Sequence, residues 1–518
     1  MTDEISHPLF EPQAAPLLEQ SVVPDDPIAT PLAEIPGLVH EARVAQATWK
    51  ATPLHERVDV LRQVKVRSLR LAEALSEVIR TETGKPFEEA LLAEALSVAD
   101  LVDYWTLAIE SLLEPLPIEL DAMLFPGKRG VTERVARGVI ALITPWNYPA
   151  AIPLRHLVPA VLCGNAVVLK PSEFTPRTGR MIVSLFAGLV PNGLVALVIG
   201  DGTAGKTLIE SGVDAVSFTG GVASGRRVAA SCGEQLIPCS LELGGKDAAI
   251  VLADANVERA ANGVVWGAFT NAGQNCAGIE RVYVEAAIAQ RFVRRVVELT
   301  NALALRGDMG RMTTGSQAGV VQAHLNEAVA AGGQVLCGGA PETPGQDIPP
   351  TVVLLETEDV ALMRDETFGP VLPIVVVANA EDAIARTNRC RYGLTASIWS
   401  KKVRKAEKLA RRLEVGVVTI NNHAFTAALP MAPWSGVKAS GSGVTNSSFS
   451  LDGYTRPFFV LSDRKGSARE LWWYPYGPTL RRLGLAMAKL RGGAGFFGRI
   501  AAFLALLILL PKRLLTRG

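Results

Sequence analysis

Cys276 stands in Asn271-Ala-Gly-Gln-Asn-Cys-Ala-Gly278, among small and amide residues. Backbone of that kind can approach a ligand closely and donate hydrogen bonds to it, so the thiol has the surroundings of a nucleophile. A buried, inert cysteine is the commoner fate of any single thiol, and the chain has five others, Cys163, Cys232, Cys239, Cys337 and Cys390. Context comes from Leu241-Glu-Leu-Gly-Gly-Lys-Asp247, which sets Glu242 beside a Gly-Gly turn between two apolar segments, 34 residues before Cys276. Alone that glutamate reads as a surface charge. Paired with a nucleophilic thiol, it reads as a buried acid able to act as a general base.

The apolar pattern indicates which elements carry these residues. A chain of 518 residues is too long for one core. Residues 1–36 hold prolines at 8, 12, 16, 24, 27, 31 and 36 without apolar periodicity, which predicts an extended or disordered arm. From Gly37 to about Thr106 apolar residues recur at helical spacing, broken at Thr52-Pro53 and Gly84-Lys85-Pro86, and predict about three amphipathic helices. Short runs apolar on both faces follow at 139–143, 166–169, 194–199, 215–218 and 248–252, and again at 352–355, 371–377, 397–399 and 415–420. Separated by helical patterns, they predict parallel sheets covered on both sides, hence two α/β lobes. Residues 121–139 and those after Gly443 fit neither lobe.

Lys and Arg total 52 against 51 Asp and Glu, so no net field recruits nucleic acid. Scattered cysteines without a CxxC pair, and a first segment without signal-peptide character, imply free thiols in a cytosolic setting. No Cys/His cluster has the spacing of metal ligands.

Together these segments resemble the aldehyde dehydrogenase superfamily, in which a glutamate of an L-E-L-G-G-K motif precedes the nucleophilic cysteine of G-Q-x-C. Pro145-Trp-Asn-Tyr-Pro149 resembles the family's P-W-N-x-P, Lys170-Pro-Ser-Glu173 its K-P-S-E, Phe218-Thr-Gly-Gly221 its F-T-G-S, Glu366-Thr-Phe-Gly-Pro370 its E-x-F-G-P, and Ser435 to Gly441 its late G-G-x-K-x-S-G signature. The motifs keep the family's order across roughly residues 37–460. The resemblance implies two open-sheet Rossmann-like lobes, an NAD-binding domain at 37–120 and 140–241 and a catalytic domain at 242–443. It also implies a small oligomerisation sheet from 121–139 and 444–462, building a homodimer or homotetramer. Cys276 attacks an aldehyde, Asn147 and a backbone N–H stabilise the alkoxide, and Glu242 activates the water that hydrolyses the thioester to a carboxylic acid. Lys170, Glu173, Trp146, Thr219, Gly220, Gly225, Glu366 and Phe368 hold the cofactor, NAD, with NADP admitted by the same motif. Three departures bear on contacts. Gly221 replaces a common serine and loosens the pyrophosphate site, while Trp434-Ser435 and the Gly278 to Arg281 segment alter the substrate channel.

Two features lead elsewhere. Gly200-Asp-Gly-Thr-Ala-Gly-Lys-Thr207 matches the phosphate-binding G-x-x-x-x-G-K-T and makes a nucleotide-binding protein the formal rival. A non-catalytic membrane scaffold on the same fold is another. After Glu470 no acidic residue occurs, eight basic residues do, and Ile500 to Leu510 is an unbroken apolar run too short to span a bilayer. Residues 465–518 thus predict a tail lying on or dipping into a membrane. The arrangement resembles fatty aldehyde dehydrogenases and implies a medium- or long-chain aliphatic aldehyde.

Overall fold

A computed structural model describes residues 28–121, 125, 127–341, 345, 347–423, 425–464 and 470–515. Most of the expected N-terminal arm lies outside the described residues, and the first long helix begins at Ile35, whose side chain is fully buried. Helices Ile35–Ala51, Leu54–Arg70 and Ala72–Thr83 come in turn; the first and third end at the expected breaks, while the second ends at Leu71, where none was expected. Pro53 starts one of them, and Gly84 closes another in the left-handed conformation open to glycine. Beyond Phe87 a π-turn, Leu91–Ala95, leads into helix Ser97–Leu113.

Two strands come next, β1 (Leu116–Ile118) and β2 (Lys128–Ala136). The first large sheet is built from β3 (Val139–Ile143), β4 (Ala166–Lys170), β5 (Val195–Leu197), β6 (Ala215–Gly220) and β7 (Cys239–Leu243). They run parallel in the order β5-β4-β3-β6-β7. β3 and β4 are buried along their whole length, as a sheet covered on both faces requires. The strand order reverses between β3 and β6, which opens a crevice at their carboxyl ends.

Three residues further on, β8 (Asp247–Val251) enters a second sheet with β9 (Ile279–Glu285), β10 (Gln334–Cys337), β11 (Thr351–Leu355), β12 (Val371–Val377), β13 (Thr395–Trp399) and β14 (Val417–Ile420). Its order is β10-β11-β12-β9-β8-β13-β14, parallel except at β10. β9 is absent from the sequence reading because Glu280 and Arg281 interrupt its apolar pattern, yet both are about 4% exposed.

β15 (Thr455–Asp463) pairs in a three-stranded sheet of order β1-β2-β15. The chain divides into two compact units: one carries both large sheets, and the other comprises Pro115–Glu133 and Phe458–Gly518. In this second unit Lys128 pairs with Asp463 at 2.7 Å and with Glu470. Helices Pro478–Ala488 and Phe496–Leu515 pack on each other through Leu483, Ala486 and Ala502, while Phe496, Phe497, Ile500, Leu504, Leu507 and Ile508 are exposed. Among the described residues no helix is long and apolar enough to cross a membrane.

Candidate active site

The sequence-predicted residues converge where the carboxyl ends of the first sheet meet the amino ends of the second. Pro145–Pro149 follows β3, Lys170 ends β4, Thr219 and Gly220 end β6, and Glu242 lies on β7 opposite Thr219. Cys276 immediately precedes β9, and Glu366 to Phe368 precede β12. Gly244 and Gly245 join the sheets. A Cβ on Gly245 would fall 2.6 Å from the Cys276 carbonyl oxygen, and one on Gly244 would overlap the Glu366 carboxylate, so only glycine lets both loops close on this turn.

The Cys276 loop is tied to the Trp146-Asn147 loop by amides. Asn147 Nδ2 donates to Gln274 O at 3.1 Å, and Asn271 Nδ2 donates to Asn147 O at 2.8 Å. Asn271 and Ala272, at the start of this loop, both take left-handed backbone angles that store local strain. Asn147 keeps one N–H beyond its bond to Gln274, and among the described residues the Cys276 backbone N–H donates to nothing. Two donors are thus left for an oxyanion. His423, fully buried, lies with Nε2 2.6 Å from Ala277 O and pins the residue after the nucleophile; burial lowers its pKa to about 4, so it stays neutral.

Electrostatics favour the neutral thiol as the resting form of Cys276. Burial, with Asp247, Glu366 and Glu242 nearby, pushes the thiol up to about 12, against the pull of Arg155. Of those carboxylates, Asp247 is committed to Thr395 N and Oγ1, and Glu366 accepts from Gly245 N. Glu242 is 8% exposed, its Oε1 has no hydrogen-bond partner, and burial raises its pKa to about 8 despite Arg155. It is the base free to take a proton. Ala277 and Leu394 form an apolar cluster with the buried Trp434, packed against Cys276.

The cofactor residues separate into two groups. Lys170 is buried, its Nζ donating to Pro171 O, beside an exposed Glu173. Gly221 starts helix Val222–Gln235 without a side-chain cap and with open space around it, and Thr219 Oγ1 is buried and unpaired. Gly225 lies one turn inside that helix, where a Cβ would meet Leu243 at 2.5 Å; its place is helix-on-strand packing. At the other end Phe368 meets Trp146 edge-on, ring centroids 5.6 Å apart. An ammonium, a carboxylate, uncapped helical N–H groups and an aromatic pair along one crevice fit a dinucleotide.

The rival phosphate loop does not fit. Asp201 caps helix Gly202–Glu210, accepting from Thr203 N and Ala204 N, which occupies the N–H groups a phosphate needs and places a negative charge there. Lys206 points outward toward Glu210. A second correction concerns Glu280 and Arg281: they face Lys246 and the Thr367 segment. Sequence reasoning also missed Arg155, a partly buried guanidinium near Cys276 and Glu242 with no hydrogen bond among the described residues. It missed the pair of Lys85 and Glu94 as well, which meets at 2.5 Å behind Asn147.

Two such sheets, with a thiol, a free buried carboxylate and residues that fit a dinucleotide at their junction, are the arrangement of an oxidoreductase. A model of the aldehyde dehydrogenase family matches residues 27–460, and the chain belongs to that family, whose enzymes use NAD or NADP. A 4,4'-diapolycopene aldehyde oxidase of Methylomonas sp. is 38% identical, over 88% of this chain and 86% of that protein. A protein of Mycobacterium ulcerans, provisionally named succinate-semialdehyde dehydrogenase [NADP(+)] 2, is 36% identical over 85% of this chain and 88% of its own. Among solved structures, PnpE from Pseudomonas sp. WBC-3, also solved with nicotinamide adenine dinucleotide, shares 30% identity with a TM-score of 0.81, covering 86% of this chain and 92% of that one.

Proposed function

We propose that this chain oxidises an aldehyde to the carboxylic acid with NAD, through a thioester on Cys276. The observation that carries the reading is Glu242 Oε1, a buried carboxylate oxygen without a partner beside a partly buried thiol. The thiol proton leaves to solvent as sulfur adds to the aldehyde carbon, and Asn147 Nδ2 with the Cys276 backbone N–H receives the alkoxide. A nicotinamide ring held by Glu366, Phe368 and Trp146 supplies the hydride acceptor. Glu242 then takes a proton from water as it attacks the thioester, and the carbon–sulfur bond breaks. Glu173 binds ribose hydroxyls and repels a 2′-phosphate, which favours NAD.

A medium- or long-chain aliphatic aldehyde suits the cluster of Ala277, Leu394 and Trp434 against Cys276. The tail supports delivery from a membrane: its exposed apolar face is flanked by Arg481, Arg482, Lys489, Arg491, Arg499, Lys512 and Arg513, the pattern of a helix pair seated in one leaflet of an anionic membrane. The small sheet, with Phe458 and Phe459 exposed, supports a homo-oligomer. Arg155 favours a second reading, an aldehyde carrying a carboxylate, in line with the relative named for succinate semialdehyde. Absorbance of the reduced cofactor with short, long and carboxylated aldehydes, each with NAD and NADP, separates the readings. Cys276→Ser abolishes all turnover; more than a trace of activity in that variant overturns the assignment.

A further inference from the structure

Glu280, four residues beyond the nucleophile, takes hold of the loop that carries Glu366 and Phe368. Oε1 accepts the backbone N–H of Phe368 at 2.7 Å, Oε2 that of Thr367 at 2.8 Å, and Lys246 Nζ stands 2.5 Å from Oε2. The same ammonium donates to Thr367 Oγ1 at 3.0 Å, and Gln317 Nε2 donates to Thr367 O at 2.8 Å. Thr367 is wholly buried, with amide, hydroxyl and carbonyl all fixed. Next to it Phe368 has a φ of 50°, a left-handed backbone that a side chain resists and that surrounding contacts must impose. On the other side the Glu366 carboxylate rests on the Gly244-Gly245 turn, Gly245 N donating at 3.2 Å.

We propose that Glu280 is a positioning residue for the cofactor, acting through Thr367 and Phe368 to set the surface that receives the nicotinamide end; this rests on the NAD site described above. A carboxylate that accepts two consecutive backbone N–H groups fixes both peptides at once, and so the direction of Glu366 before Thr367 and of Phe368 after it. Its buried charge is tolerated because Lys246 neutralises it and every strong contact is hydrogen-bonded. The glutamine variant keeps the shape but turns an amide N–H toward a backbone N–H or the Lys246 ammonium, where only an acceptor fits. Freed from these bonds, Phe368 leaves the left-handed backbone and its edge-on contact with Trp146.

The test is NADH binding by the full-length protein without aldehyde, followed by nucleotide fluorescence, in wild type, Glu280→Gln and Thr367→Val. The Kd rises about tenfold or more in Glu280→Gln, the scale of lost charge-assisted hydrogen bonds, and by less in Thr367→Val, which deletes only the hydroxyl contact. KM for NAD follows Kd, while alkylation of Cys276 by iodoacetamide keeps its wild-type rate. A wild-type Kd in Glu280→Gln overturns the proposal even if the melting temperature falls, because Glu280 then serves stability alone. Should that variant not fold, Thr367→Val decides: an unchanged Kd overturns the proposal and a raised one supports it. Wild-type protein that binds no NADH overturns the cofactor site itself and the inference with it.

Discussion

Lys85 and Glu94 meet at 2.5 Å behind the Asn147 loop, and Lys246 and Glu280 meet at the same distance behind Thr367 and Phe368. Each carboxylate also accepts two consecutive backbone N–H groups: Glu94 takes Ala150 and Ala151, Glu280 takes Thr367 and Phe368. Each lysine reaches into the loop that its pair supports, Lys85 to Asn147 O and Lys246 to Thr367 Oγ1. They differ in what they aim. The first pair belongs to the elements around the first large sheet and fixes the proposed oxyanion donor Asn147; the second belongs to the other sheet and fixes Phe368, proposed to meet the nicotinamide. Each pair thus lies within its own lobe, while across the lobes Asn147 meets the Cys276 loop through amide contacts and Glu89 accepts from Asn271 N at 2.6 Å.

That division separates rate from affinity. The largest effect is expected from Lys85→Met, which leaves the Glu94 charge buried without its partner and removes a donor from Asn147 O. Turnover falls about 100-fold or more, the loss typical of a misplaced oxyanion donor, while the Kd for NADH stays within about twofold. A rise in Kd matching the fall in kcat would show that the two braces are not independent.

A smaller effect appears in the pH profile. Glu242 accepts a proton only as carboxylate, and burial holds its pKa at about 8. Turnover limited by hydrolysis of the thioester therefore falls as pH drops through about 8, approaching about tenfold per unit below it. Lys85→Met lowers the whole curve and leaves its midpoint in place. A midpoint near the ordinary carboxylate range would mean that Glu242 is solvated during turnover.

The smallest effect on chemistry is expected from deleting residues 471–518, which leaves Glu470 to pair with Lys128. Activity toward a short soluble aldehyde changes by less than about twofold, while cosedimentation with anionic liposomes is lost. Retained liposome binding would place the lipid contact elsewhere on the chain.

The motifs proposed to touch cofactor or substrate were legible because each is contiguous: Trp146-Asn147, Glu242 with its glycines, Cys276, Glu366 to Phe368. The braces were not, since Lys85 and Glu94 are nine residues apart with Glu94 inside a π-turn, Lys246 in the turn before β8 and Glu280 on β9 are 34 apart, and no periodicity marks either pair. β9 was hidden for the same reason, because Glu280 and Arg281, which the fold buries, interrupt its apolar pattern. The phosphate-loop pattern failed in the opposite direction: Gly200 to Thr207 has the right letters, but Asp201 turns the helix start into a self-capped end. Residue types and order revealed the chemistry, whereas the buried charges that aim it required the three-dimensional pairing.

The central claim is a thioester on Cys276 that Glu242 resolves. Glu242→Gln, mixed with NAD and an aldehyde and then quenched in acid, tests it through the mass of the peptide containing Cys276 alongside the NADH released. The account predicts one burst of NADH, no sustained turnover and an acyl group on Cys276. Steady NADH production at the wild-type rate with an unmodified Cys276 would contradict it.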